Sequence, residues 1–100
     1  MKERQFQFEW DEVKAAANPR KHGVTFELAA TVFIDPHLLT TPDLEHSDGE
    51  ERWFSIGCAG NGEILSIVYL WLESDLEATT IRLISARAAT KKETRRYAVS

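Results

Sequence analysis

The sequence predicts an α+β fold of two layers, ordered β-α-α-β-β-β-α, with helices covering one face of a small antiparallel sheet. Three observations predict it. An alternating aromatic run stands near the start, at Gln5-Phe6-Gln7-Phe8-Glu9-Trp10. Three strand-like runs follow one another from Arg52 to Arg87 with only turn-sized gaps, and helical segments with capping residues flank that block on both sides. A length of 100 residues accommodates one domain over residues 1–100, with a core large enough to fold alone.

The opening run alternates polar and apolar residues with the period of a half-buried strand. Asp11 stands at an N-cap position, and Glu12-Val13-Lys14-Ala15-Ala16-Ala17 is rich in good helix formers. Pro19 lacks the N–H of a helical ladder, so this first helix either kinks there or restarts with Asn18 as cap, and Gly23 closes it in the left-handed region. Thr25 caps a second helix over about Phe26 to Phe33, whose residues Phe26, Ala29, Ala30 and Phe33 share one face. Residues 35–50 hold two prolines, two histidines and several acids without periodicity, and read as a long surface loop.

Beyond that loop, Trp53 to Cys58, Ile64 to Trp71 and Thr79 to Ser85 read as consecutive strands. Asn61-Gly62 predicts a type I′ hairpin turn between the first two. Thr90-Lys91-Lys92-Glu93 fits a capping box, in which Glu93 reaches back to the Thr90 amide, and opens a last helix carrying Arg95, Arg96 and Tyr97.

Charge is distributed unevenly. From Thr80 to Ser100 the basic residues Arg82, Arg87, Lys91, Lys92, Arg95 and Arg96 face Glu93 as the lone acid, inside a chain whose net charge is −4. Such a patch calls for a polyanion or an acidic partner. The acidic balance of the whole argues against a general nucleic-acid binder, because counterion release by Lys and Arg supplies most of that affinity. With 43% hydrophobic and 28% charged residues, no apolar run of spanning length and a polar Met1-Lys2-Glu3-Arg4-Gln5 start, the expectation is a cytoplasmic globular protein with no membrane association. Cys58 is alone and reads as a small packed residue. No metal-ligand spacing, phosphate-binding Gly-rich loop or serine elbow is present, so no cofactor is expected.

The remaining candidates are cationic and proton-transfer side chains. Lys21 and His22 precede Gly23 at a helix end, where the macrodipole favours cations, yet histidine is also the side chain whose ordinary pKa suits proton exchange near neutrality. Glu50-Glu51-Arg52 is either a solvated charge cluster or a base beside an anion clamp. Strict alternation from Ile81 places Leu83, Ser85 and Arg87 on one face of the last strand and Arg82, Ile84 and Ala86 on the other. Arg87 then emerges beside the basic helix, Arg82 pairs with the acidic loop, Lys91 and Lys92 are solvated, and Arg95 and Tyr97 face the sheet near Arg87.

Several ordered segments carry a resemblance: Phe8-Glu9-Trp10-Asp11, Ala16-Ala17-Asn18, Arg20-Lys21-His22-Gly23-Val24, Phe26-Glu27, Ala29-Ala30-Thr31-Val32-Phe33, Asp35-Pro36, Gly49-Glu50-Glu51-Arg52, Ile56-Gly57, Ile84-Ser85-Ala86-Arg87, Ala89-Thr90, Glu93 and Arg96-Tyr97. Together, over roughly residues 8 to 97, they resemble the BrnT family, toxins of a bacterial type II toxin–antitoxin system. The resemblance implies a RelE-like fold and ribonuclease activity that arrests translation. It also implies neutralisation by BrnA, an antitoxin with a ribbon-helix-helix DNA-binding module, in a complex that represses its own operon. RNA is then the substrate, and operator DNA is reached only through the antitoxin.

The chemistry expected of such a fold is metal-free attack of the RNA 2′-hydroxyl on the adjacent phosphorus. It needs a base, an acid and cations at the phosphoryl oxygens. On this reading Arg87 clamps the phosphate with Arg52 or Arg95 in support, His22 or Glu51 transfers protons, and Lys21, Arg82, Lys91 and Tyr97 contribute to RNA binding. The competing reading is a non-catalytic module that docks its antitoxin and acts as co-repressor.

Overall fold

The computed structural model describes residues 5–43, 52–73 and 78–100. Strand β1 (Gln5–Trp10) leads to helix α1 (Glu12–His22) and helix α2 (Phe26–Ala30), which tightens into a turn of 3-10 helix at Thr31–Ile34. Strands β2 (Leu39–Pro42), β3 (Arg52–Cys58), β4 (Ile64–Glu73) and β5 (Ala78–Ala88) follow, and helix α3 (Lys91–Val99) ends the fold.

The helix starts agree with the local chemistry. Asp11 Oδ1 accepts from the Val13 and Lys14 amides at 2.8 and 3.1 Å, and Thr25 Oγ1 from Leu28 at 3.1 Å. The capping box at Thr90 is complete in both directions. α1 does not restart at Pro19 with Asn18 as its cap but runs through it to His22. Gly23 then takes φ 72° and donates its N–H back to the Pro19 carbonyl.

The sheet differs from the expected antiparallel one. Its order is β1-β5-β4-β3-β2, antiparallel from β2 to β5, but β1 lies parallel to β5, so the sheet is mixed. Everything between β1 and β5 acts as the long crossover that a parallel pair requires. Part of the stretch read as a loop is β2, where Leu39-Thr40-Thr41-Pro42 pairs with β3. Its β-branched threonines suit a strand, and Pro42 is tolerated because β2 is an edge. Asn61-Gly62 is not a type I′ turn. Gly62 N–H closes on the Ala59 carbonyl at 2.9 Å and only Gly62 has positive φ, at 90°, which is the geometry of a three-residue loop.

Strand alternation divides the sheet into two faces. Leu65, Ile67, Tyr69, Ile81, Leu83 and Ala86 point to one face and pack with Val24, Phe26, Ala29 and Val32 from the α1–α2 region, forming the core. Ser66, Val68, Leu70 and Ile56 point to the far face. Helix α3 packs beside β3 there, and its Glu93 meets Ser66 on β4. Helices therefore lie on both faces, and the two-layer expectation is corrected accordingly. Burying large side chains such as Phe26 and Leu65, both at 0% exposure, stabilises the fold by roughly 1.5–3 kcal/mol each.

Where a strand lacks a neighbour, a side chain takes the neighbour's place. β1 ends opposite Leu83, so the backbone of Ala86 has no strand beside it on that side. The buried Asn18 amide fills the gap, donating from Nδ2 to the Ala86 carbonyl at 2.8 Å and accepting the Ala86 N–H at 3.3 Å. Its second Nδ2 proton goes to the Val24 carbonyl at 2.8 Å. Asp35 plays the same part on β3, accepting the Cys58 N–H at 2.8 Å beyond the end of β2.

Candidate active site

The basic C-terminal run folds back on itself around Arg87. A β-bulge decides where that side chain points. Val68 pairs with Ser85 while Tyr69 pairs with Leu83, so Ile84 is an extra residue on β5. The bulge resets the alternation: Ile81, Leu83 and Ala86 all face the core, and Arg82, Ser85 and Arg87 face away. Strict alternation placed Arg87 with Ile81 and Leu83, and the extra residue overturns that placement.

On the far face Arg87 meets Glu93 across two hydrogen bonds, Nη1 to Oε1 at 2.7 Å and Nη2 to Oε2 at 2.9 Å. Glu93 Oε1 also accepts from Ser66 Oγ at 2.8 Å and from the Thr90 amide at 2.9 Å. The carboxylate is the better covered partner, with its side chain 16% exposed against 38% for Arg87. Hydrogen bonding from Arg87, aided by Thr90 and Ser66, outweighs burial and holds the Glu93 carboxyl down to about 2 from an ordinary 4.5. The same bond raises the Arg87 guanidinium further above its ordinary value.

The pair sets a pH dependence. A carboxylate whose folded pKa is depressed contributes stability that is full above the unfolded value and is lost as pH falls toward the folded one. Unfolding by urea at stepped pH is expected to show wild-type stability falling between about pH 5 and pH 2.5, with a smaller fall in Glu93→Gln.

Helix α3 is held at its other end by Tyr97, one turn beyond Glu93 on the same side. Its hydroxyl donates to Asp35 Oδ2 at 2.6 Å. That bond to a carboxylate, with some burial, pushes the phenol up to about 12, so it stays protonated and a donor at every working pH. Burial alone would push Asp35 up, but Tyr97 and the amides of Cys58 and His37 hold it below its ordinary value. No residue of α3 is fully buried, so these two polar contacts fasten the helix. Tyr97→Phe is expected to lower stability by about 1–2 kcal/mol, because a hydrogen bond to a charged group is lost. Urea unfolding measures it, and the difference between the two proteins shrinks as pH rises through about 12.

The remaining candidates divide by position. Lys21 and His22 are exposed at the end of α1. Asn18, one turn before His22, ties that helix to Ala86 and hence to the end of β5 that carries Arg87. Arg52 is at the other end. It pairs with Leu70, while Arg87 pairs with Ser66 four residues away along β4 and on its opposite side. At strand spacings this separates the two arginine backbones by roughly 16 Å, so Arg52 does not support Arg87 directly. Its Nε is buried without a hydrogen-bond partner among the described residues. Among the described residues Arg82 pairs with Glu9 on β1 at 3.4 Å, both side chains being half exposed, and most of the acidic loop expected as its partner lies outside the described residues. Arg95 and Lys91 are exposed on the side of α3 away from Glu93, so Arg95 does not face the sheet. Glu51 lies outside the described residues.

Sequence reasoning named Glu93 only as a cap and missed Ser66, Asn18 and Asp35 as the groups that build this site. The signals for Glu93 were the capping box and its place among the ordered segments that carry the resemblance. An apolar cleft of about 370 Å³, walled by Phe6, Phe33, Leu38, Trp53, Tyr69 and Trp71 on the core face, carries no charged side chain and lies apart from the arginine site.

No curated protein matches the chain in sequence. Its fold is similar to that of the Brucella abortus ribonuclease toxin BrnT, known from a crystal structure. The TM-score is 0.56 and the identity 21%, with 87% of this chain and all of that one covered. The family model described as the ribonuclease toxin BrnT of a type II toxin–antitoxin system matches residues 10–93. That span takes in α1, the whole sheet beyond β1 and the Arg87–Glu93 pair, and the chain belongs to the BrnT family of ribonuclease toxins of type II toxin–antitoxin systems.

Proposed function

We propose that this toxin is a metal-independent endoribonuclease in which Arg87 clamps the scissile phosphate. The observation that carries the reading is the state of the Arg87 guanidinium. Its two Nη atoms are held by Glu93, while its Nε–H has no acceptor among the described residues and the side chain remains partly open to solvent. A guanidinium offers five donors, and the fork formed by Nε–H and the outer Nη2–H matches two phosphoryl oxygens. In the cleavage step the RNA 2′-oxygen attacks phosphorus, the bond to the 5′-oxygen breaks, and Arg87 stabilises the charge that builds on the equatorial oxygens. His22, one turn beyond the Asn18 that bonds Ala86, is the first candidate for proton transfer at the 2′ or the 5′ oxygen, and Glu51 the second. Lys21 and Lys91 supply local positive charge for the RNA backbone, with Arg95 and Arg82 further out.

The reading extends to RelE-like arrest of translation and to neutralisation by a BrnA-type ribbon-helix-helix antitoxin, through which the toxin contributes to repression at operator DNA. Expression in bacteria tests it. Growth arrest that is reversed by a co-expressed antitoxin, and absent in Arg87→Ala, is expected. Harmless overproduction of the wild-type chain would favour a non-catalytic co-repressor instead.

A further inference from the structure

The geometry points to Glu93 as the positioning residue of the ribonuclease site: it locks one fork of the Arg87 guanidinium so that the other is presented to the RNA phosphate in a fixed orientation. The inference rests on the reading of Arg87 as the phosphate clamp and adds to it a residue that touches no substrate.

Glu93 is itself held from several directions. Ser66 Oγ, the Thr90 amide and the two Arg87 Nη atoms all donate to it, and its own N–H is tied to Thr90 Oγ1 at 3.1 Å. Ser66 is only 2% exposed and comes from the middle of the sheet, so the carboxylate is anchored to β4 as well as to α3. A free arginine on a strand end has several soft torsions, and ordering them during catalysis would raise the barrier. Here the ordering is done before RNA arrives. Nη1 has a further long contact to the Ala88 carbonyl at 3.4 Å, which leaves the Nε and Nη2 edge as the one without a protein acceptor among the described residues. The arrangement has an electrostatic cost, since a fixed carboxylate beside the clamp weakens attraction for RNA. A residue kept only for RNA affinity would not be acidic.

That cost gives the inference a signature which a purely structural role lacks. Glu93→Gln preserves an acceptor for Ser66 and Thr90 but removes the charge that grips Arg87. Steady-state cleavage of a fluorophore-labelled, mixed-sequence single-stranded RNA is expected to show kcat falling by at least about tenfold, with KM unchanged or lower because one negative charge is gone. Thr25→Ala, which removes a helix cap away from the ion pair, is expected to keep both constants near wild type. Ser66→Ala is the second arm should Glu93→Gln fold poorly, and a smaller fall in kcat at constant KM is expected of it. Unchanged kcat in folded Glu93→Gln, with Arg87→Ala inactive, would overturn the positioning role and leave the clamp standing. Full activity of folded Arg87→Ala would overturn the clamp itself.

Discussion

Arg87→Ala is expected to lower kcat/KM for RNA cleavage by about 10²–10³-fold while the fold survives. The size follows from the position of the guanidinium, which is the donor group held rigid at the end of β5. Loss of a preorganised donor at a developing oxyanion removes stabilisation that water does not restore. Survival of the fold follows from what remains around Glu93. Its carboxylate keeps the Ser66 hydroxyl and the Thr90 amide as partners and retains a route to solvent once the Arg87 side chain is gone. Arg87→Lys is expected to recover little, because an ammonium keeps the charge but has no planar fork to divide between carboxylate and phosphate. Cleavage rates of the purified variants, alongside their circular dichroism, measure both statements.

Asn18→Ala is expected to be the most destabilising polar substitution in the described part of the chain, by about 2–4 kcal/mol. The amide is 5% exposed and satisfies the N–H and C=O of Ala86 and the carbonyl of Val24. Truncation leaves these backbone groups unpaired in a place water reaches poorly, at roughly 1–3 kcal/mol for each group left unsatisfied and with partial relaxation reducing the sum. For a chain of 100 residues each kcal/mol shifts the melting temperature by about 4–8 °C, so a fall of about 8–32 °C is expected in a thermal melt. Asn18→Asp tests the geometry as well. It keeps an acceptor for the Ala86 N–H, loses both donations and buries a charge, and it should be no more stable than Asn18→Ala. A loss below about 1 kcal/mol in either variant would mean that Ala86 finds other partners, and that Asn18 does not pin α1 to β5.

Much of this architecture was legible in local chemistry. Asp11, Thr25 and Thr90 each announced a helix, because a short side-chain oxygen before a helix-forming run has one inexpensive use. The alternating aromatics of β1 and the runs from Trp53 onward announced strands for an equally local reason, the two-residue period of a pleated chain. The misreadings that shape the sheet are non-local. Whether β1 pairs parallel or antiparallel depends on where the chain returns after its helices, and nothing in Phe6-Gln7-Phe8 records that. Leu39 to Pro42 is too short and too mixed to declare itself, and becomes a strand because β3 offers it an edge.

The site was legible in part for the same reason. Arg87 stood out as an arginine at the end of an apolar strand beside a basic helix. The extra residue at Ile84, which turns Arg87 to the face where Ser66 and Glu93 stand, is set by pairing with β4 and leaves no trace in composition. Glu93 looked sufficient as a cap, and its second role exists only once α3 has docked. Arg52 was grouped with Arg87 by charge, whereas the sheet sets them at opposite ends. Arg95 was grouped by proximity in sequence, whereas two residues along a helix carry it to the side opposite Glu93.

We expect this chain to cleave RNA by internal attack of the 2′-hydroxyl with Arg87 holding the phosphate. End-group analysis of RNA digested by the purified toxin in the presence of a chelator tests it most directly. The expected products are 5′-hydroxyl ends paired with cyclic or 3′-phosphate ends, appearing without added metal and lost in Arg87→Ala. Cleavage that depends strictly on magnesium and leaves 5′-phosphate ends would contradict that expectation.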